Sequence, residues 1–141
     1  MEKHKSLFVL VVAAFLLSAA VVVANPRLAR AAEQCYFVTV FDKENINPAR
    51  ITVAKGDCVV WMNWKRSGDV SLSFKEGEKC LKAVKTPLDF KMNLPTQCLI
   101  SHVLQYGQTV SIVFMEPGTY DYDINFSDGG EANASVVVRK E

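Results

Sequence analysis

Histidine is scarce in this chain, and its scarcity narrows the chemistry that the protein can perform. The 141 residues include 2 histidines, and His4 lies in a segment that we expect to be removed, which leaves His102. Nucleophilic mechanisms of the Ser-His-Asp or Cys-His type need a histidine beside a nucleophile and a third group that orients it. The sequence contains no Ser or Cys with a recognisable histidine partner, so we expect a protein that is not an enzyme.

A surplus of basic residues is also absent once the N-terminal segment is set aside. The whole chain has a formal charge of +1, from 16 Lys plus Arg and 15 Asp plus Glu. From Ala32 onward the counts are 12 and 14, a net charge of −2. Nucleic-acid binding needs Lys and Arg to neutralise phosphates. We therefore expect a protein or small-molecule partner and no nucleic acid.

Residues 1–31 have the pattern of a secretory signal peptide. A basic start precedes an apolar run from Leu7 to Ala24, and small residues then suit cleavage after Ala31 or after Ala24. The alternative is an uncleaved membrane anchor, because the run of 18 residues is near the minimum for spanning a bilayer. We expect a periplasmic or secreted protein with one domain, 32–141, and membrane contact only if the segment is retained.

All 4 cysteines lie in the part that we expect to be exported. An even number in a short exported chain indicates two disulfides, and three pairings are possible. We prefer Cys80–Cys98, which would close a loop of about 19 residues and stabilise the fold by roughly 3 kcal/mol. Cys35 and Cys58 would then link the starts of two neighbouring strands.

Short stretches with strand character recur along the domain and are separated by turns. Residues 70–74 alternate apolar and serine side chains, and residues 120–124 alternate apolar and aspartate side chains, which is the period of a half-buried strand. We expect strands near residues 35–41, 51–53, 58–64, 70–74, 109–115, 120–124 and 134–139. About seven such strands predict an antiparallel sandwich or barrel, with Trp61 and Tyr120 as large inward-facing side chains.

Residues 76–107 differ from the rest of the domain. This segment is rich in lysine, contains Pro87 and Pro95, and shows no sustained hydrophobic period. We interpret it as a long inserted connection with one helical turn near 81–84. The preferred Cys80–Cys98 disulfide would pin it to the domain.

Two blocks of sequence resemble the cupredoxin family, which includes plastocyanin, azurin and amicyanin. Residues 47–63 contain a proline, a short strand, a Gly-Asp turn and a strand that ends in Trp-Met-Asn. Residues 114–122 contain a phenylalanine, a Pro-Gly turn and Tyr-Asp-Tyr. The resemblance covers most of 35–74 and 109–139, and it leaves the insert outside. It implies an all-β Greek-key sandwich of about seven strands.

The resemblance also shows where a blue-copper centre would lie, and this chain lacks its ligands. The family places a histidine six residues after the Asn of Trp-x-Asn, and a cysteine six after the Gly of Pro-Gly. A second histidine and an axial methionine follow. The matching positions here carry Asp69, Ile124, Ser127 and Ala132. Because the centre needs two imidazoles and a thiolate, the resemblance implies a domain without a type 1 copper site, and we expect no cofactor.

The remaining candidates are charged surfaces. Asp121, Asp123, Asp128 and Glu131 indicate a solvated strand face and turn, with a calcium site as the minor alternative. We expect contact surfaces at the loop after Trp64, at Asp128 and Glu131, and in the insert at Lys79, Lys82 and Lys85. The sequence predicts a non-catalytic binding or accessory module. The alternative is a periplasmic copper-binding or electron-transfer protein with a rebuilt metal site.

Overall fold

The structure is a computed structural model, and it describes residues 34–75, 89–93 and 98–140. No helix in this part of the chain is long and apolar enough to cross a membrane. Its strands are β1 (Cys35–Val40), β2 (Ile46–Asn47), β3 (Arg50–Ala54), β4 (Cys58–Asn63), β5 (Val70–Phe74), β6 (Phe90–Asn93), β7 (Cys98–Ser101), β8 (Thr109–Val113), β9 (Gly118–Phe126) and β10 (Glu131–Arg139). The predicted signal peptide lies outside the described residues.

The strands form two sheets. One has four strands in the order β2-β1-β4-β8, and the other has six in the order β3-β10-β9-β5-β7-β6. Strands β1 and β4 run parallel, as do β3 and β10, and the other neighbours are antiparallel. The prediction of an all-β sandwich is confirmed, with short strands added to the expected set. The expectation of a purely antiparallel arrangement is wrong, because both sheets are mixed.

A cluster of aromatic side chains fills the space between the sheets. Trp61 of the four-stranded sheet is fully buried, and its ring centroid lies 5.5 Å from that of Tyr122 and 5.9 Å from that of Phe74, both in the six-stranded sheet. Tyr120 is also buried, and its hydroxyl donates a hydrogen bond of 2.8 Å to the carbonyl of Glu116. Both predicted inward anchors are therefore confirmed.

The expectation that residues 76–107 lack clear strands is wrong for the described part of this segment. β6 and β7 pair antiparallel at one edge of the six-stranded sheet, and Phe90 and Leu99 enter the core. Each strand has only four residues, which is too short for a hydrophobic period to stand out in the sequence. The predicted helical turn at 81–84 and the lysines at 79, 82 and 85 lie outside the described residues.

The structure links Cys35 to Cys58, the pairing preferred from the sequence. The two residues are opposite each other in the parallel β1–β4 ladder, and their Cα atoms are 4.4 Å apart. Cys98 is also disulfide-bonded. Its expected partner, Cys80, lies outside the described residues.

Candidate functional site

Four segments meet at the end of the sandwich where β1, β4 and β9 end and β5 begins. We call this end the tip, and its segments are residues 41–45, 63–70, 102–108 and 126–131. β1 and β4 reach the tip together because they run parallel, and Val40 is the register partner of Asn63. Loops carry binding residues more often than the strands that hold them, so the tip is the candidate functional site.

Asn63 is the buried polar centre of the tip. It is fully inaccessible to solvent, because strand alternation points it inward two residues after Trp61. Its Nδ2 donates to the carbonyl of Leu104 at 2.9 Å and to that of Gly68 at 3.3 Å. Its Oδ1 accepts from the amide of Lys65 at 2.9 Å. One side chain thereby fixes the 63–70 and 102–108 segments to each other.

The residues that the resemblance matches to copper ligands form two pairs of different character. The amide of Asp69 donates to the hydroxyl of Ser127 at 2.8 Å, and the amide of Ser127 donates to the carbonyl of Asp69 at 3.0 Å. Ile124 is fully buried and lies opposite Ala132 in the β9–β10 ladder. The first pair is a hydrogen-bonded clasp between two loops, and the second is part of the hydrophobic core.

Lys65 brings a positive charge to the tip. Its side chain is only 11 % exposed, and its Nζ lies 2.8 Å from Oδ2 of Asp128, which is 52 % exposed. The ammonium also donates to the carbonyl of Ser67. The hydrogen bond from Lys65 holds the pKa of Asp128 below its usual range. Lys65 lies in the loop after Trp64, which was predicted as a contact surface, but its buried charge was not predicted.

The predicted acidic cluster does not converge on one point. Asp128 pairs with Lys65, whereas Asp123 lies 2.7 Å from Nζ of Lys75 on the outer face of the six-stranded sheet. The hydrogen bond to Asp123 raises the pKa of Lys75. Within residues 34–75, 89–93 and 98–140, no group of three or more His, Cys, Asp or Glu side chains is placed to hold a metal ion.

A small pocket opens beside the Asp69–Ser127 clasp. Its volume is about 140 Å³, and its lining is Asp69, Val70, Ser71, Val103, Asn125, Phe126 and Ser127. The pocket combines a carboxylate, hydroxyls and an amide with the exposed side chain of Val103. It has room for only a few water-sized groups, so the tip cannot enclose a large ligand at this point.

Sequence reasoning missed an exposed aromatic pair at the tip. Trp64 is 44 % exposed and Tyr106 is 47 % exposed, and their ring centroids are 5.0 Å apart with an interplanar angle of 35°. Side chains alternate between the two faces of β4, and those of Trp61 and Asn63 point inward. This alternation predicts that the side chain of Trp64, the next residue, leaves the core. Tyr106 gave no such signal, because it lies in a loop inside the segment predicted as an insert.

Comparisons with known proteins support the fold. No family model matches the chain, and no curated protein sequence is significantly similar to it. Among solved structures, a reduced form of an amicyanin mutant is 22 % identical, with a TM-score of 0.53 over 79 % of this chain and 88 % of that one. A Cu(I) form of another amicyanin mutant is 23 % identical, with a TM-score of 0.52 over the same shares. The chain is therefore a cupredoxin-like β-sandwich.

Proposed function

We propose that this protein is an exported, non-catalytic binding or accessory module that uses the cupredoxin frame without a type 1 copper centre. The observation that carries the proposal is the composition of the tip. Where copper-binding relatives need sulfur and imidazole, this chain has an aliphatic core residue, Ile124, and a hydrogen-bonded loop clasp between Asp69 and Ser127. These groups serve packing and loop closure, so the tip is suited to binding rather than to electron transfer.

The charge of Lys65 adds a second argument. Its largely buried ammonium is held by oxygen atoms of Ser67 and Asp128, so the tip already contains a cation supplied by the chain. The ion pair also engages the Asp128 carboxylate, which makes that group a poorer ligand for an added metal ion. Removing the ammonium would leave the Asp128 carboxylate without its partner.

The disulfides support export. Cys35–Cys58 is formed, and Cys98 is disulfide-bonded as well. Disulfides persist in oxidising compartments such as the periplasm and the extracellular space. With the signal-like residues 1–31, they favour a periplasmic or secreted location.

Copper titration tests the proposal. Purified oxidised protein mixed with Cu(II) should show no intense visible absorption and no increase in melting temperature. A blue band in the natural protein would overturn the proposal. Copper-dependent stabilisation without the blue colour would instead support the alternative of a rebuilt metal site.

A ligand-restoring variant provides the matched control. Asp69→His, Ile124→Cys and Ser127→His together supply the missing imidazoles and thiolate, and Lys65→Met removes the resident charge. This variant should gain the thiolate-to-copper band that the natural protein lacks. If circular dichroism shows that it folds but copper leaves it colourless, the assignment of these positions is wrong.

A further inference from the structure

In the described strands, the outer face of the four-stranded sheet carries no charged side chain, and we call it the uncharged face. Side chains alternate between the two faces of a strand, and the ladders align the outward positions of β1, β4 and β8. These positions include Phe37 and Thr39 in β1, Val60 and Met62 in β4, and Thr109 and Ser111 in β8. The other outward positions of this sheet are also uncharged.

The outer face of the six-stranded sheet is charged. Its outward positions carry Arg50 in β3, Asp121 and Asp123 in β9, and Glu131 in β10. Lys75, the residue after β5, pairs with Asp123 on the same face. Surfaces that face solvent usually have about a quarter or more of charged residues. The contrast between the two faces indicates that the uncharged face is adapted to contact with another apolar surface.

Large aromatic side chains lie on the uncharged face and continue from it to the tip. Phe37 is 57 % exposed, and Phe41, four residues further along the same side of the chain, is 38 % exposed. The amide of Trp64 donates to the carbonyl of Val40 at 2.8 Å. This bond extends the β1–β4 pairing by one row and brings Trp64 beside Phe41, with Tyr106 against it. The exposed aromatic side chains thus form a stripe along the sheet, and such patches mark interaction sites.

The uncharged face is large enough for a weak specific interface. Four strands about 4.8 Å apart are about 19 Å wide, and the rows 35–41 are about 23 Å long, so the face covers about 400 Å² in projection. Two such faces, with the relief of their aromatic side chains, reach the about 1,000 Å² of a specific contact. Charged residues return in the chain beyond the face, at 42–44, 55–57 and 65–66, which suits the polar rim of an interface.

We propose that the uncharged face binds the same face of a second copy of this chain in a symmetric dimer. In a two-fold dimer each patch meets itself, so a charge near the axis would lie opposite an identical charge. The uncharged face avoids this repulsion at every outward strand position, whereas the outer face of the six-stranded sheet does not. A partner that is recognised by its charge would find no opposite charge on these strands. The dimer is independent of the copper titration that decides the proposed function.

Sedimentation velocity of the purified, disulfide-intact protein tests the dimer. Between about 1 µM and about 500 µM the sedimentation coefficient should rise from that of a monomer to that of a dimer, with a Kd of about 10–100 µM for an interface of this size. Raising the ionic strength from about 0.05 M to about 0.5 M should change the Kd by less than about twofold, because the face has no charges to screen. Over the same concentrations, amide resonances of β1, β4 and β8 should shift, and those of β3 should not.

Matched threonine variants locate the contact. Thr39 and Thr52 occupy outward positions of β1 and β3, one on each outer face. Thr39→Lys brings an ammonium group from each copy into the interface and should raise the Kd at least about tenfold. Thr52→Lys makes the same change on the charged face and should alter the Kd by less than about twofold. Phe37→Ala removes an exposed aromatic contact and should raise the Kd about tenfold.

Circular dichroism checks that each variant folds, and Phe37→Ala decides the question if Thr39→Lys does not fold. A protein that stays monomeric at the highest concentration would overturn the proposal. So would a dimer that neither Thr39→Lys nor Phe37→Ala weakens. Concentration-dependent shifts limited to β8 would show pairing of edge strands instead of contact between faces. Binding of the monomer to phosphatidylcholine vesicles, lost in Thr39→Lys, would assign the face to a membrane and overturn the dimer as well.

Discussion

Replacing Asn63 with alanine removes the side chain that joins two loops of the tip. The substitution deletes the donor to the carbonyls of Leu104 and Gly68 and the acceptor for the amide of Lys65. The strands themselves keep their ladder bonds. The change in the free energy of unfolding therefore measures how much one buried side-chain amide stabilises the loops of the tip.

The expected loss of stability follows from the three hydrogen bonds. Leu104 is fully buried, but its carbonyl keeps a hydrogen bond from the amide of Val70. Losing the hydrogen bond from Asn63 to this carbonyl should therefore cost about 1 kcal/mol. The hydrogen bonds to Lys65 and Gly68 are only partly buried, so water can replace part of each, and we expect a loss of about 0.5 kcal/mol for each. With the small cavity that remains, we expect Asn63→Ala to destabilise the protein by about 2–4 kcal/mol.

Urea unfolding followed by circular dichroism measures this loss. The matched control is Asn133→Ala, which removes the same side chain from an exposed strand position where its Oδ1 accepts from Nζ of Lys75 at 2.6 Å. The control should cost less than about 1 kcal/mol. If the two variants differ by less than about 1 kcal/mol, Asn63 does not hold the tip in the way described.

Two further predictions concern the core and the disulfide. Burial raises the pKa of Tyr122 from 10.0 to about 12, and the indole of Trp61 opposes part of the rise. The folded state thus keeps a proton that the unfolded state releases, so stability should be complete below pH 10 and fall by about 2–3 kcal/mol towards pH 12. In Tyr122→Phe the stability should fall much less between pH 10 and pH 12. A decline as steep as in the natural protein would show that Tyr122 is not its cause. Replacing Cys35 and Cys58, 23 residues apart, by alanine should cost about 3 kcal/mol, and an unchanged urea midpoint would refute it.

The frame of the fold could be predicted because it is encoded locally. Alternation in residues 70–74 and 120–124 marks half-buried strands, and both are observed as such. The Gly-Asp turn of residues 47–63 is also observed, and the φ of Gly56 is +90°, a backbone conformation that glycine adopts readily. Such signals need only a few neighbouring residues, so a single sequence contains them.

The chemistry of the tip could be predicted only in part. Counting from the two cupredoxin-like motifs assigned Asp69 and Ser127 to positions of copper ligands, and the structure places the two residues in contact. The ion pair of Lys65 with Asp128 joins residues 63 apart in sequence. That contact depends on how two loops fold back over the sandwich, and no periodicity or motif in either loop specifies it.

Hydrogen bonds and one ion pair join the loops of the tip to one another. They come from the Asn63 amide, the Asp69–Ser127 clasp and the Lys65–Asp128 pair. Because these bonds fix the loop backbones, they also fix the direction in which Trp64 leaves the core. Loosening the clasp should therefore change the orientation of Trp64 even though Trp64 itself is unchanged.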